Sequence, residues 1–315
     1  MRVAVTGANG YIGSALCKYF FNFGYTVVAI VRKPTSKLPI GVKQLILDDF
    51  TKLDVSTLDK AFEQLKDFDA LIHAAGIAHS YRKNSKILSR VQEINIQATA
   101  IFSQVAEKVC VRRFIFLSSV GVNGNICSNS VSEIDKVNPH NIYTQSKYEA
   151  ECQLLSLSKS SSMEVIIVRP PMVYSLDAPG NFAKLIRLVK LGLPLPFKHL
   201  ENQRSVIALD NLLDFLNLCA NKDKTPLAKN QIFFVADKHL LSTKEIAEKI
   251  AKTMGLKLRM MYISPKVIFW ILNLLGKEKL YLSLFESMIV DTSKARSLLG
   301  WEPSIDMDQQ LKKRN

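Results

Sequence analysis

The sequence predicts an α/β protein, a doubly wound parallel sheet followed by a smaller C-terminal α/β lobe. Three observations carry this. Apolar β-branched runs alternate with helical patterns through the first 170 residues. Strands joined by crossovers of that kind are parallel, and right-handed crossovers put helices on both faces. Three glycines, Gly7, Gly10 and Gly13, sit where the first strand gives way to the first helix. After Arg169-Pro170-Pro171 the rhythm changes, and helices dominate while strands shorten.

The elements follow in order. Residues 2–6 read as a strand, and residues 11–23 as a helix closed by Gly24. Strands follow at 26–31 and 43–47, then a helix at 55–65. A fourth strand at 69–73 precedes a long helix at 90–109. A fifth strand at 113–118, a helix at 143–157 and a sixth strand at 164–168 complete the alternation. Short strands are expected in the second half at 205–207, 232–235 and 257–262. The division therefore falls near 170, giving regions 1–170 and 171–315, with segments free to cross back. The longest apolar run, 267–275, is too short for the ~20 residues a membrane span needs. It reads as a buried helix. An interfacial helix, giving weak peripheral membrane association, is the alternative, because Lys266, Lys277 and Lys279 flank it.

Composition narrows the partners. The chain has 315 residues, 48% of them hydrophobic, enough to bury a large core. A net charge of +14 suits nucleic acid, an anionic membrane surface or anionic small ligands. No basic block interleaves with aromatics, so no nucleic-acid partner is expected. The five cysteines, 17, 110, 127, 152 and 219, are widely spaced and form no C-x-x-C pair. A disulfide framework and a metal site are both disfavoured, and a reducing, cytoplasmic setting is expected. With a strand read from Arg2, no leader is expected.

Two motifs carry chemistry. The first is Gly7-x-x-Gly10-x-x-Gly13, a strand–turn–helix that offers backbone N–H groups and a helix N-terminus to a phosphate. Gly7 permits the sharp turn, Gly10 lets a pyrophosphate approach, and Gly13 lets helix pack on sheet. The implied ligand is a dinucleotide. The second is Ser119, ending the fifth strand, with Tyr143 and Lys147 one helical turn apart. A phenol titrates near 10 and is a poor base at neutrality, but a neighbouring ammonium stabilises the phenolate. Such a tyrosine exchanges a proton with a hydroxyl while a nicotinamide takes hydride. The serine hydroxyl hydrogen-bonds the developing oxyanion. Arg32 and Lys33 end the second strand where an acid would bind a ribose 2′-hydroxyl, and two cations there favour a 2′-phosphate. His73 and His79 read as structural or cofactor-adjacent.

Together, Thr6-Gly7-x-x-Gly10-x-x-Gly13, Ile72-His73-Ala74-Ala75-Gly76, Ser118-Ser119 and Tyr143-x-x-x-Lys147 resemble the extended short-chain dehydrogenase/reductases. These are NAD(P)-dependent nucleotide-sugar epimerases, dehydratases and reductases, and the resemblance spans essentially the whole chain. Segments 169–174, 181–182, 192–196 and 204–212 are similar to a narrower branch, and 291–301 is similar to the family's C-terminal signature. The branch holds UDP-glucose 4-epimerase-like proteins and UDP-4-keto-6-deoxy-hexosamine 4-reductases. The resemblance implies a Rossmann-type domain and a nucleotide-sugar lobe. It implies catalytic roles for Ser119, Tyr143 and Lys147.

For the cofactor the resemblance implies Gly7, Gly10, Tyr11, Ile12, Gly13 and Arg32, with Asp49 at the adenine and Phe50 beside it. Ala74, Ala75 and Gly76 would line the ribose, Lys147 would bind the nicotinamide ribose, and Pro170 and Met172 would pass the nicotinamide. Asn95 matches a buried asparagine of the long helix. Ser119, Asn181 and Arg204 would contact substrate, the last two at the diphosphate. The implied cofactor is NADP or NAD, with NADP slightly favoured, and the implied partner is a UDP-sugar. Relatives dimerise through the helices at 90–109 and 143–157, so a homodimer is expected. Three departures stand out: Ser175 where relatives have glycine, no arginine in 286–290, and no Asp-Glu pair after Ser119. The last disfavours dehydration. The expected activity is hydride transfer at carbon 4 of a UDP-hexose or hexosamine, as a 4-epimerase or 4-ketoreductase serving cell-surface polysaccharide. The alternative is an inactive NADP-binding regulatory or scaffold protein.

Overall fold

The computed structural model describes residues 1–50, 55–77, 85–124 and 129–313. β1 (Arg2–Thr6) turns into α1 (Tyr11–Asn22), followed by β2 (Thr26–Val31), β3 (Lys43–Ile46) and α2 (Val55–Phe62). β4 (Ala70–His73), α3 (Ser85–Gln92), α4 (Ala98–Lys108), β5 (Arg113–Leu117), α5 (Ile142–Leu157) and β6 (Glu164–Arg169) come next. The second half holds β7 (Met172–Tyr174), α6 (Asn181–Lys190), β8 (Val206–Ala208), α7 (Leu209–Ala220) and β9 (Gln231–Phe234). α8 (Thr243–Thr253), α9 (Pro265–Leu274), α10 (Glu278–Phe285), α11 (Ser293–Leu299) and α12 (Met307–Lys312) close the chain.

Seven strands form one parallel sheet in the order β3-β2-β1-β4-β5-β6-β9. Its central strands are buried on both faces, which is why they read as continuous apolar runs. α1 and α7 cover one face through Leu16, Phe20, Leu212 and Phe215. Phe62 of α2, Phe102 of α4, and Ala150 and Leu154 of α5 meet Phe114 and Phe116 on the other. Each fully buried ring contributes about 2–3 kcal/mol of transfer free energy. The strand order reverses between β1 and β4, so a crevice opens at their carboxyl ends, where such sheets bind ligands.

The structure departs from the sequence reading in five places. The strand expected at 232–235 is β9, and it pairs with β6, so the second half returns to the main sheet. β7 was not expected; only three residues long and following two prolines, it pairs with β8 in a separate small sheet. Residues 257–262 form no strand. Met260 makes a single bridge to Leu195, whose neighbours Pro194 and Pro196 have no N–H to extend the ladder. The long helix begins at Ser85 and widens into a π turn over Glu93–Gln97. The run 267–275 is not a buried helix, since within α9 only Ile268 is buried. Among the described residues no helix is long and apolar enough to cross a membrane.

Candidate active site

Backbone contacts fix the glycine turn. Gly7 has φ +68°, and a Cβ there would lie 2.7 Å from the Ala75 nitrogen. A Cβ on Gly13 would lie 2.3 Å from the Gly7 carbonyl oxygen, so β1 and α1 close to backbone contact. The Gly10 amide donates to that carbonyl at 2.8 Å, and Gly10 opens α1. No side chain caps α1, and its first turn carries no acid. The positive end of the helix dipole is left for an anion.

Two hollows border this turn. A small one of about 140 Å³ is lined by Gly7, Gly10, Arg32, Phe50, Ala74, Ala75 and Gly76. A larger one of about 470 Å³ is lined by Tyr11, Ile12, Ala74, Gly76, Ser119, Tyr143, Lys147, Pro170, Met172, Asn181 and Arg204. Ala74 and Gly76 border both. Three expected residues line neither hollow. Asp49 is exposed, Gly13 packs behind the turn, and Asn95 is buried behind the site.

Local sequence places the Ser–Tyr–Lys group. Ser119 opens the short turn Val120–Val122, its Oγ accepting from the Gly121 amide at 3.1 Å. A Cβ on Gly121 would meet Thr144 Cγ2 at 2.6 Å, so the absence of a side chain lets this turn touch the start of α5. A capping box anchors α5: Asn141 Oδ1 accepts from the Thr144 amide at 3.0 Å, and Thr144 Oγ1 accepts from the Asn141 amide at 3.2 Å. Tyr143 lies inside that anchored turn.

Lys147 is 4% exposed. Its Nζ donates to the Leu117 carbonyl at 2.8 Å and sits 4.4 Å over the Phe116 ring. A Cβ on Gly76 would come within 3.2 Å of that Nζ. Burial lowers the ammonium pKa to about 8, and Glu151, one turn along α5, opposes the drop. Glu151 is the residue the sequence reading missed. Its carboxylate accepts from Ser118 Oγ at 2.5 Å, Arg169 Nε at 2.9 Å and Arg169 Nη2 at 2.5 Å. Arg169 also donates to Asn123 Oδ1 at 2.8 Å. This buried network ties α5 to the ends of β5 and β6. Its signal was a lysine and a glutamate at helical spacing facing an apolar sheet.

Asn95, on the π turn, accepts from the Ile77 amide at 2.8 Å and donates to Ser146 Oγ at 2.9 Å. It joins the loop after β4 to the helix of Tyr143. His73 is fully buried and held at about pKa 3 by desolvation. Thr99 Oγ1 donates to the Asn95 carbonyl, so it accepts from His73 Nε2–H at 3.0 Å. His73 Nδ1 then accepts from Thr6. A neutral histidine with both nitrogens engaged is structural; His79 lies outside the described residues.

Tyr11 donates its hydroxyl to Ser175 Oγ at 2.8 Å. Burial pushes this phenol up to about 12, so it stays protonated. Arg204 is largely buried and donates to the Glu286 carbonyl at 2.6 Å. Lys279 and Ser283 of α10 line the same cavity, a contribution the sequence did not signal. Among the described residues no group of three His, Cys, Asp or Glu side chains could hold a metal.

The fold is Rossmann-type, a seven-strand parallel sheet with flanking helices. The sequence model of the NAD dependent epimerase/dehydratase family matches residues 3–233, and the chain belongs to that family. It is 32% identical to a UDP-glucose 4-epimerase of Vibrio cholerae over 98% of this chain and 93% of that one. It is 24% identical to the N-acetyl-alpha-D-glucosaminyl-diphospho-ditrans,octacis-undecaprenol 4-epimerase of Escherichia coli O157:H7, over 83% of this chain and 75% of that one. The UDP-glucuronic acid 4-epimerase of Bacillus cereus, solved with UDP-glucuronic acid and NAD, superposes with a TM-score of 0.77. It is 22% identical and is covered over 97% of its length by 99% of this chain.

Proposed function

We propose that this protein is an NAD(P)-dependent 4-epimerase of a UDP-hexose or UDP-hexosamine. The carrying observation is that Ser119, Tyr143 and Lys147 line one cavity, which adjoins the glycine-turn hollow on one side and reaches Asn181 and Arg204 on the other. The residues fit a dinucleotide: an uncapped helix start carries no acid in its first turn, the Gly7 position has no space for a side chain, and a Cβ at Gly76 would crowd Lys147 and Asn95. The Gly7–Ala75 hollow would hold the adenosine half, with Arg32 placed for a 2′-phosphate. This is the reason for favouring NADP slightly over NAD. A nicotinamide bound there would supply reversible hydride transfer at carbon 4.

The chain's own residues move the proton. Tyr143 takes it from the carbon 4 hydroxyl as the carbon becomes a ketone. The Lys147 ammonium stabilises the phenolate. Ser119 donates a hydrogen bond to the ketone oxygen. Arg204 and Asn181 hold the diphosphate while the keto sugar turns, and Tyr143 returns the proton on the other face. Tyr11, with its raised pKa, serves only as a hydrogen-bond donor. We assign the sugar lobe to residues 171–315 apart from the segments that rejoin the sheet, α7 and β9. We further propose a homodimer through α4 and α5, and a cytoplasmic role supplying sugars for cell-surface polysaccharide.

The test incubates purified protein with UDP-glucose, UDP-N-acetylglucosamine and a UDP-4-keto-6-deoxy sugar, with and without NADPH. Redox-neutral interconversion of a hydroxy sugar with its epimer supports the proposal. Stoichiometric NADPH oxidation with the keto sugar alone assigns a 4-ketoreductase instead. A second reading replaces the nucleotide by a polyprenyl diphosphate. It is favoured by an exposed apolar helix, α9, packed on the α10 that lines the cavity, and by the name of the Escherichia coli relative. Turnover of an N-acetylglucosaminyl-diphospho-polyprenol with none of the UDP-sugars would establish it.

A further inference from the structure

α9 is apolar on its outer side as well as its inner one. Its inner side is anchored: Ile268 is buried, and Phe269 meets Tyr281 of α10 edge-on at 5.1 Å. Tyr281 stacks on Phe285 at 5.0 Å, and Phe285 meets Phe197 at 5.7 Å in the core of the second lobe. Its outer side is an apolar stripe. Val267, Trp270, Ile271, Leu274 and Leu275 recur at helical spacing and are 47%, 66%, 42%, 73% and 60% exposed. Met261 and Tyr262, just before the helix, are 42% and 60% exposed. A contiguous apolar face held rigidly outward is what interaction surfaces have.

The charges around it select the occupant. Residues 255–279 contain five cations, Lys257, Arg259, Lys266, Lys277 and Lys279, against one acid, Glu278, and all six are exposed. A two-fold dimer through this face would set the same cations against each other. An anionic bilayer would complement those that do not line the cavity, Lys257, Arg259, Lys266 and Lys277. The helix is about 15 Å long, half the thickness of a bilayer core of about 30 Å, so it lies flat. An exposed tryptophan on the apolar side suits the headgroup level.

We propose that α9 is an interfacial helix that docks this protein on anionic lipid, with the stripe from Val267 to Leu275 inserted and the flanking lysines on the headgroups. α10, packed on α9, supplies Lys279 and Ser283 to the cavity, so docking brings the active site to the membrane surface. This rests on neither choice of sugar carrier.

The full chain reports its own docking. It has two tryptophans, and Trp301 is buried against Phe215, so a change in emission comes from Trp270. With vesicles of phosphatidylglycerol and phosphatidylcholine, the protein co-sediments and its emission shifts to the blue. Phosphatidylcholine alone retains it weakly. Ile271→Glu with Leu274→Glu lowers vesicle binding at least about tenfold while circular dichroism and the melting curve stay as in the wild type. Lys266→Gln with Lys277→Gln weakens binding to the anionic vesicles only. Absence of vesicle binding, or equal binding by the glutamate variant, overturns the proposal. So does a wild-type dimer that the glutamate variant converts to monomer, which assigns the face to a second copy.

Discussion

Lys147→Met separates what the lysine does for chemistry from what it does to the fold. The ammonium is buried, and burial brings its pKa from 10.5 to about 8. At neutral pH the lysine is charged in both the folded and the unfolded chain, and the folded chain bears a penalty of about 3 kcal/mol. Methionine keeps the length and removes the charge. It forfeits the hydrogen bond to the Leu117 carbonyl, worth about 1 kcal/mol. The variant is therefore more stable by about 2 kcal/mol, on the order of 4 °C in Tm for a chain of this size. The penalty is present in full below the folded pKa of about 8, fades between there and 10.5 while the unfolded lysine alone keeps its proton, and is gone above 10.5, where both states are neutral. The Tm advantage should be largest at neutral pH and shrink above pH 9, while turnover is lost at every pH. Differential scanning fluorimetry of the cofactor-free proteins across that range measures it. A methionine variant no more stable than wild type at neutral pH, or an advantage that grows with pH, refutes the reasoning.

Three further outcomes follow from the same geometry. Tyr143→Phe should lower kcat by about 10²–10⁴-fold while cofactor affinity, read by fluorescence titration, stays near wild type. Glu151→Gln leaves the Arg169 guanidinium buried without a counter-charge and should cost about 3–5 kcal/mol in urea denaturation. Arg32→Ser should lower the ratio of NADPH to NADH affinity about tenfold, since one cation facing a 2′-phosphate is removed; an unchanged ratio removes the reason for favouring NADP.

The parts of the site set by local sterics were legible. Gly7 and Gly13 must be glycine because backbone lies within 3 Å of where Cβ would be, and such a constraint leaves its mark at fixed spacing. Tyr143 and Lys147 share a turn, so helical period alone pairs them. What depended on distant pairing was not legible. β9 joins β6 across some sixty residues, and no periodicity in 231–234 says which sheet it enters. Glu151 was passed over because its partners, Ser118 and Arg169, arrive from two different strands. In 267–275 hydrophobicity does not mean burial, because α9 is apolar on its outer side as well as on the side that packs. A single sequence gives the period of a face, not what lies against it.

The central claim is that one cavity removes and returns the same hydride at carbon 4. It is tested most directly with UDP-N-acetylglucosamine and UDP-glucose deuterated at that carbon. The account predicts that the 4-epimer forms with deuterium retained at carbon 4 and with no net oxidation or reduction of added cofactor. Epimer carrying solvent hydrogen at carbon 4, or deuterium delivered into free cofactor, would contradict it.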